Sequence, residues 1–472
     1  MDILINMGKA FQHFLNALLS FLWGDLIKIP LPGGKTLDVS FLVLLLALSG
    51  IFFTFRTRFV QFRMIPKMLK VATEKNTSKK GLSGIQALIV ATATRVGMGN
   101  LAGVVAAISV GGAGSVFWMW IFAFFGSSLA FVESVLAQIH KKEDKINGGF
   151  IGGPAYYIHD ALIKPGKKRK KSILAILFAI SGITCLAGVS QVASNSVTSA
   201  VKNAYNVPTL ATTLLMVAFA LIIVFKNKKI VKVLDFMVPI MAGGYFLVTL
   251  FVILKNLPSI PEVFSGILAE AFGFRQVVAG GIGAVIVTGA KRGIFSNEAG
   301  SGNTPNVAAM ADVSHPAKAG LMQCLGVFLD TLICTCTAFL ILLIPKSASG
   351  SAQGMELLQT AMNYHVGSWG SSFITVILIL FSFSTFLGLL LYAKPSVTYI
   401  FGQKKIYQIL YKIFFVVMLF SGGLNAYTFV WDLADLGIGL MTIFNILALF
   451  LLSKEAVNSL KEYKIKEFNL KN

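Results

Sequence analysis

The chain of 472 residues is 56% hydrophobic and 13% charged, which excludes an ordinary soluble domain and places it among polytopic membrane proteins. Its formal net charge of +21 does not point to nucleic acid, because the basic residues sit in short loops between apolar runs, where they act as topology signals. Cys185, Cys324, Cys334 and Cys336 fall inside apolar segments, and His13, His140, His159, His315 and His365 are scattered without ligand spacing, so neither a disulfide framework nor a zinc site is expected.

Residues 1–37 contain an apolar stretch, 3–23, with Asp2 in place of a basic leader region and no small-residue cleavage site. An interfacial helix at the outer leaflet is expected there rather than a signal peptide. The first span is predicted at 38–55, and the loop after it carries eight basic residues against Glu74, which places it in the cytoplasm. At about 20 residues per span, the others are predicted at 84–110, 115–139, 173–201, 208–225, 233–254, 277–303, 318–344, 371–393, 406–422 and 430–453. Eleven spans put the termini on opposite sides. Basic clusters follow every second crossing: Lys141, Lys142 and Lys145 with 164–171, then 226–229, then Lys394, Lys404 and Lys405, then a tail, 454–472. The opposite loops carry only Lys202, Lys255, Arg275 and Lys346. The expected protein is therefore all-α and set in the cell membrane, with its amino terminus outside and its carboxyl terminus in the cytoplasm.

Two spans contain groups that hydrocarbon rejects. In 84–110, Thr92, Thr94, Arg95, Gly97, Gly99 and Asn100 cluster at the middle. A mid-bilayer charge costs about 2.5–3.5 kcal/mol on insertion scales, so Arg95 must face protein or a wet cavity. Gly97 and Gly99 are a place for the helix to unwind, or they only let two helices approach closely. In 277–303, an apolar helix meets Lys291, Arg292, Ser296, Asn297 and Glu298. Opening is expected around Gly289 to Phe295, the alternative being that Lys291 to Pro305 is a cytoplasmic loop. With the first span set aside, the remaining ten form two sets of five, 84–254 and 277–453, each led by a broken segment. Such a pattern points to inverted repeats around a midplane transport site.

Other spans offer partners. Gln191 and Asn195 lie four residues apart on one helix face, for solute contact or for ordinary interhelical bonding. Ser382, Ser384 and Thr385 make an oxygen-rich turn suited to a hard cation. Asp330 and Thr331 are placed to hold a second ion or to pair with a buried base. Glu133 is placed to neutralise Arg95 or Arg292. No nucleophile elbow, metal motif or carboxylate pair in a polar loop is present, so an enzyme is not expected.

The runs RVGMGNLAGVVAAI from Arg95, GGAGSVFWMW from Gly111, GGPAYYI from Gly152, RGIFSNEAGSGNTP from Arg292, HPAKAG from His315 and GVFLDT from Gly326 resemble the alanine or glycine:cation symporter family. The resemblance implies the inverted-repeat fold of the amino acid, polyamine and organocation superfamily. It also implies sodium-coupled uptake of small neutral amino acids, with sodium as coupling ion and no other cofactor. Ala113 and Met98 depart from the family pattern, leaving the choice among alanine, glycine, serine and glutamine open. The segment Val96 to Asn100 is also similar to the first broken helix of neurotransmitter:sodium symporters. That likeness implies a sodium ion held by carbonyls of Ala93 and Val96 with hydroxyls of Ser384 and Thr385, and a second ion near Asn100. The expected solute site comprises Gly97, Met98, Gly99, Asn100, Gln191, Phe295, Ser296 and Asn297. Proton-coupled or uncoupled movement, with Arg95 in the cation's place, is one rival reading, and an amino-acid sensor without flux is another.

Overall fold

The structure, a computed structural model, describes residues 2–31, 35–74, 81–163, 171–225, 230–274 and 281–469. Long apolar runs satisfy their peptide groups in hydrocarbon only as helix, and nearly every described element is helical. The first are α1 (Asp2–Trp23), a hairpin of β1 (Ile27–Leu31) and β2 (Lys35–Val39), and α2 (Phe41–Arg56). They are followed by α3 (Gly84–Arg95), α4 (Gly99–Gly111), α5 (Gly114–Ile139), α6 (Pro154–Leu162) and α7 (Ile173–Tyr205). Next come α8 (Thr209–Val224), α9 (Ile230–Lys255), α10 (Gly281–Asn297) and α11 (Pro316–Leu342). The last are α12 (Gly370–Phe401), α13 (Lys405–Leu424) and α14 (Tyr427–Asn469).

Among the described residues, α5, α7, α9, α11, α12, α13 and α14 are long and apolar enough to cross a bilayer, and α3 with α4 makes one further span, bent by 46°. The shorter α2 and α8 have 16 residues each and α10 has 17. Each of the eleven predicted segments thus contains a helix, although 277–303 is helical only over 281–297 among the described residues, and the protein is an all-α polytopic membrane protein. The predicted basic positions 164–170, 226–229, Arg275 and Lys471 lie outside the described residues.

Burial separates an inner bundle from an outer belt. In α12, 72% of the apolar stretch is buried within the protein, against 28% in α9, whose Phe236, Ile240, Leu247 and Phe251 are exposed. Those side chains face lipid, the one solvent that suits an unpaired apolar stripe in a membrane protein. The helices of the inner bundle, α5, α7, α11 and α12, enclose α3, α4 and α10.

The two ends of the chain differ from expectation. Rather than lying only at an interface, α1 packs on the bundle: Leu15 and Leu22 are buried and Trp23 Nε1 donates to Asp435 O at 3.1 Å. The predicted separate tail is a continuation of α14. Ala456, Leu460 and Tyr463 are buried at helical spacing, so one apolar stripe persists past the span and keeps the helix intact.

Candidate functional site

The first break is short. Ser83 and Gln86 form a reciprocal cap that starts α3, and Val96 ends it at φ −77°, ψ 76°. The chain resumes as a wide π turn, Gly99–Gly103, that leads α4. Peptide groups freed inside a membrane need partners. Gly97 N donates to Asn100 Oδ1 at 2.8 Å and to Arg95 O at 2.9 Å. Asn100 Nδ2 in turn donates to Asp330 Oδ1 at 2.7 Å and reaches Cys334 Sγ at 3.2 Å. Asn100 therefore ties the break to α11. Position 97 excludes any side chain, because a Cβ there would collide with Thr385 Oγ1. At the carbonyl end of α3, Ala93 O accepts from Ser384 Oγ at 3.1 Å and Thr385 Oγ1 at 3.5 Å.

The second break lies later than expected. Gly289 to Phe295 does not open, and α10 is intact to Asn297. Its glycines serve close packing: a Cβ on Gly289 would lie 2.6 Å from Ser115 O and 2.6 Å from Trp118 Cβ, both on α5. The helix ends at Glu298, which takes a left-handed φ of 56°, followed by Gly300 and Gly302 at 84° and 86°. Nor is this segment an exposed cytoplasmic loop, since every residue from 292 to 311 is buried. Its peptide groups are met partly from outside. Gly300 N donates to Glu133 Oε1 at 3.4 Å, and Asn445 Nδ2 donates to Gly300 O at 2.9 Å and to Glu133 Oε2 at 2.8 Å. Tyr157 donates to Asn445 Oδ1. Within the segment, Asn297 Oδ1 accepts from Ala299 N at 3.0 Å.

The two breaks share one pocket. Thr94, Met98 and Gly99 line it from the first, and Phe295, Glu298 and Asn303 from the second. Thr385 and Leu389 of α12, Cys185, Leu186 and Val189 of α7 and Ile438 of α14 complete the wall. The cavity measures about 10 Å³, room for one water at most. Glu298, absent from the residues expected to form the site, points its carboxylate here. Tyr392 donates to its Oε2 at 2.9 Å, Thr94 donates at 3.3 Å, and Asn303 Nδ2 donates to Oε1 at 3.4 Å. The sequence did contain a signal for it, a lone carboxylate between an apolar run and a glycine-rich turn.

Of the expected solute residues, Met98, Gly99 and Phe295 come together here, Gly97 lies behind them against Thr385, and Phe295 also packs on Trp431 with ring centroids 4.7 Å apart. Ser296 sits against Gly99 but turns its hydroxyl to Asp330 Oδ1 at 2.8 Å. Asn297 faces a second small cavity with Asp330, Thr331 and Cys334. Gln191 is not brought to the pocket. Its side chain meets Asn425 Nδ2 at 3.2 Å and Met418 Sδ at 3.4 Å, and Asn195 donates to Gly422 O and Asn425 O. Both serve interhelical bonding, because α13 approaches so closely at Gly422 that its backbone abuts that of Gln191.

The buried charges pair differently from expectation. Arg95 Nη1 donates to Gln323 O and Oε1 at 3.0 and 3.1 Å, and Nη2 to Thr304 Oγ1 at 3.1 Å. Glu133 forms no ion pair with Arg95 or Arg292; Thr304 stands between it and Arg95, donating to Glu133 Oε1 at 3.4 Å. Arg292 and Lys291 instead share Asp435, at 2.5 and 2.8 Å. Asp330 takes neutral donors rather than a base.

Membrane-crossing helices, one of them broken and another ending in a buried left-handed turn, that meet at one buried polar pocket are the arrangement of a membrane transporter. The fold agrees. It is similar to the manganese transporter of Eremococcus coleocola at a TM-score of 0.53 and 10% identity, over 82% of this chain and 78% of that one, a likeness in fold alone. The chain belongs to the sodium:alanine symporter family, which matches residues 33–472. It is 42% identical to the amino-acid carrier protein AlsT of Bacillus subtilis, over 97% of this chain and 93% of that one. It is 40% identical to the probable sodium/glutamine symporter GlnT of the same organism, over 97% and 91%. It is 35% identical to the sodium/alanine symporter AgcS of Methanococcus maripaludis, over 96% and 97%.

Proposed function

We propose that this chain imports small neutral amino acids, alanine foremost, by sodium-coupled alternating access. The observation that carries the reading is the oxygen cluster of Ala93 O, Ser384 Oγ and Thr385 Oγ1, whose Thr385 lines the pocket where both breaks meet. A hard cation takes such oxygens, and Val96 at the end of α3 adds a carbonyl in the same turn. A cavity with room for one water does not admit alanine, so the solute enters only when the surrounding helices part. Matching lengths support an inverted repeat as the moving unit: α5 and α11 have 26 and 27 residues, and α7 and α12 have 33 and 32. In this reading the amino terminus is outside the cell membrane and the carboxyl terminus in the cytoplasm. A 100 mV potential supplies about 2.3 kcal/mol per charge, and a tenfold sodium gradient about 1.4. Together they support roughly several-hundredfold accumulation per ion.

A second reading, proton-coupled or uncoupled movement, draws on Arg95, a fixed positive charge held beside the first break by neutral acceptors. Labelled alanine uptake into proteoliposomes distinguishes the two. Accumulation in an inward sodium gradient that disappears when potassium or choline replaces sodium is the expected result; equal uptake in all three ions overturns sodium coupling.

A further inference from the structure

An amino acid presents a cation as well as a carboxylate, and the carbonyl end of α3 has few oxygens left for it. Thr92 O accepts from Val96 N at 2.7 Å, Ala93 O from Ser384, and Arg95 O from Gly97 N at 2.9 Å. The strongest acceptor remaining on the pocket wall is the carboxylate of Glu298. It is buried, it lines the pocket, and its hydrogen bonds come from the neutral groups of Tyr392, Thr94 and Asn303. It takes part in none of the ion pairs among the described residues. Arg95, the base at the neighbouring turn, gives its Nη1 and Nη2 hydrogen bonds to Gln323 and Thr304 and forms none with Glu298. Neutral donors aim a carboxylate without cancelling its charge, and a buried charge is retained where it meets a partner. Its left-handed backbone turns it out of the line of α10 and toward the turn of Thr94.

We propose that Glu298 binds the α-ammonium of the transported amino acid and so restricts the pocket to solutes with a free amine. Resting on the symport reading, this inference names the group that recognises one pole of the zwitterion, while the amide end of α4 at Met98 and Gly99 suits the other. Tyr392 and Thr94 are positioning residues, which fix the carboxylate by their hydroxyls. Because both also touch the α3–α12 seam where Ser384 and Thr385 meet Ala93, the amine and the sodium bind at opposite ends of one hydrogen-bonded strip.

Binding to the detergent-purified full chain in sodium chloride tests this apart from transport. L-alanine is compared with L-lactate, which replaces the ammonium by a hydroxyl, and with N-acetyl-L-alanine. Wild type is expected to be stabilised by alanine and by neither analogue. E298Q is expected to lose at least tenfold in alanine affinity, with E298D intermediate and sodium-induced stabilisation unchanged in both. Wild type that binds lactate as well as alanine overturns the inference whatever the variants do. So does E298Q that keeps wild-type alanine affinity, including the case in which it loses only a pH dependence of uptake, which would make the group a proton carrier. Either of those results leaves sodium-driven uptake standing. Wild type with no alanine response, with or without sodium, removes both readings.

Discussion

The first break spans Val96 to Met98 and is bonded largely within its own turn, whereas the second spans Glu298 to Thr304 and is held by side chains of three other helices. In the first, one side chain three residues away, Asn100, accepts from the freed Gly97 amide. In the second, Glu133 of α5 and Asn445 of α14 take the amide and carbonyl of Gly300, and Tyr157 of α6 holds Asn445 in place. The difference lies in backbone conformation. A bend between two right-handed helices leaves few peptide groups unpaired, while three left-handed residues within five positions turn the amide and carbonyl of Gly300 sideways, beyond the reach of local partners. The first break is thereby a site feature with modest structural cost, and the second is a point on which the bundle depends.

The largest test of that contrast is Glu133→Ala. Removing the acceptor leaves Gly300 N unpaired in the interior and takes one of the two acceptors of Asn445 Nδ2, and breaking a buried charge-assisted network costs about 3 kcal/mol. A clear fall in the melting midpoint in detergent is expected, with sodium half-saturation unchanged in the protein that remains folded. Gly97→Ala should do the reverse. Its Cβ displaces Thr385 Oγ1, so the sodium requirement for alanine uptake should rise about tenfold, equivalent to about 1.4 kcal/mol, with a smaller change in melting. If Gly97→Ala unfolds the protein and Glu133→Ala only shifts sodium dependence, the contrast is inverted and the assignment of roles fails. Thr385→Ala and Ser384→Ala each remove one oxygen from the cluster and should raise sodium half-saturation by a smaller amount, about threefold to tenfold, for the net worth of one hydrogen-bonding group of about 1 kcal/mol.

The same contrast explains what could be read from the sequence. The spans were legible because each is an apolar run bounded by charge. The first break was legible because Gly97, Gly99 and Asn100 interrupt such a run within four residues. The second was misplaced because a glycine's sequence does not say what it is for. Gly289 and Gly293 allow α5 to come close, while Gly300 and Gly302 supply left-handed turns, and both pairs stand among polar neighbours. Gln191 and Asn195 were open to two readings because their partners, Gly422 and Asn425, lie more than 200 positions away in the chain. Glu298 was passed over for a related reason. In the sequence it is one of five polar residues, Lys291, Arg292, Ser296, Asn297 and Glu298, and nothing local says that the helix turns the two bases to Asp435 and leaves Glu298 to neutral donors.

The smallest expected effect lies outside the pocket, at the end of α5. His140 stands between Asp160 of α6 and Glu455 of α14, 3.2 and 3.0 Å away, and Lys142 shares Asp160 at 2.9 Å. Burial by itself pushes the imidazole's pKa down, but the hydrogen bonds and charges of Asp160 and Glu455 outweigh it and raise the value above the ordinary 6.5. A pKa raised on folding means that the clamp's contribution is complete below about 6.5 and is lost as the pH climbs through the raised folded value. The pair is partly exposed and Asp160 keeps its contact with Lys142, so the loss should stay below about 1 kcal/mol. Melting midpoints taken at about pH 6 and about pH 8 should fall for wild type by more than for His140→Gln, and the difference between the two proteins isolates this group from His315 and His365. Because the contact joins the continuation of α14 to α6, whose Tyr157 holds Asn445 at the second break, a drop in wild type alone would show that the end of α5 and the continuation of α14 are fastened by charge and not only by the apolar stripe of Ala456, Leu460 and Tyr463. Identical pH profiles would leave that stripe as the sole fastening.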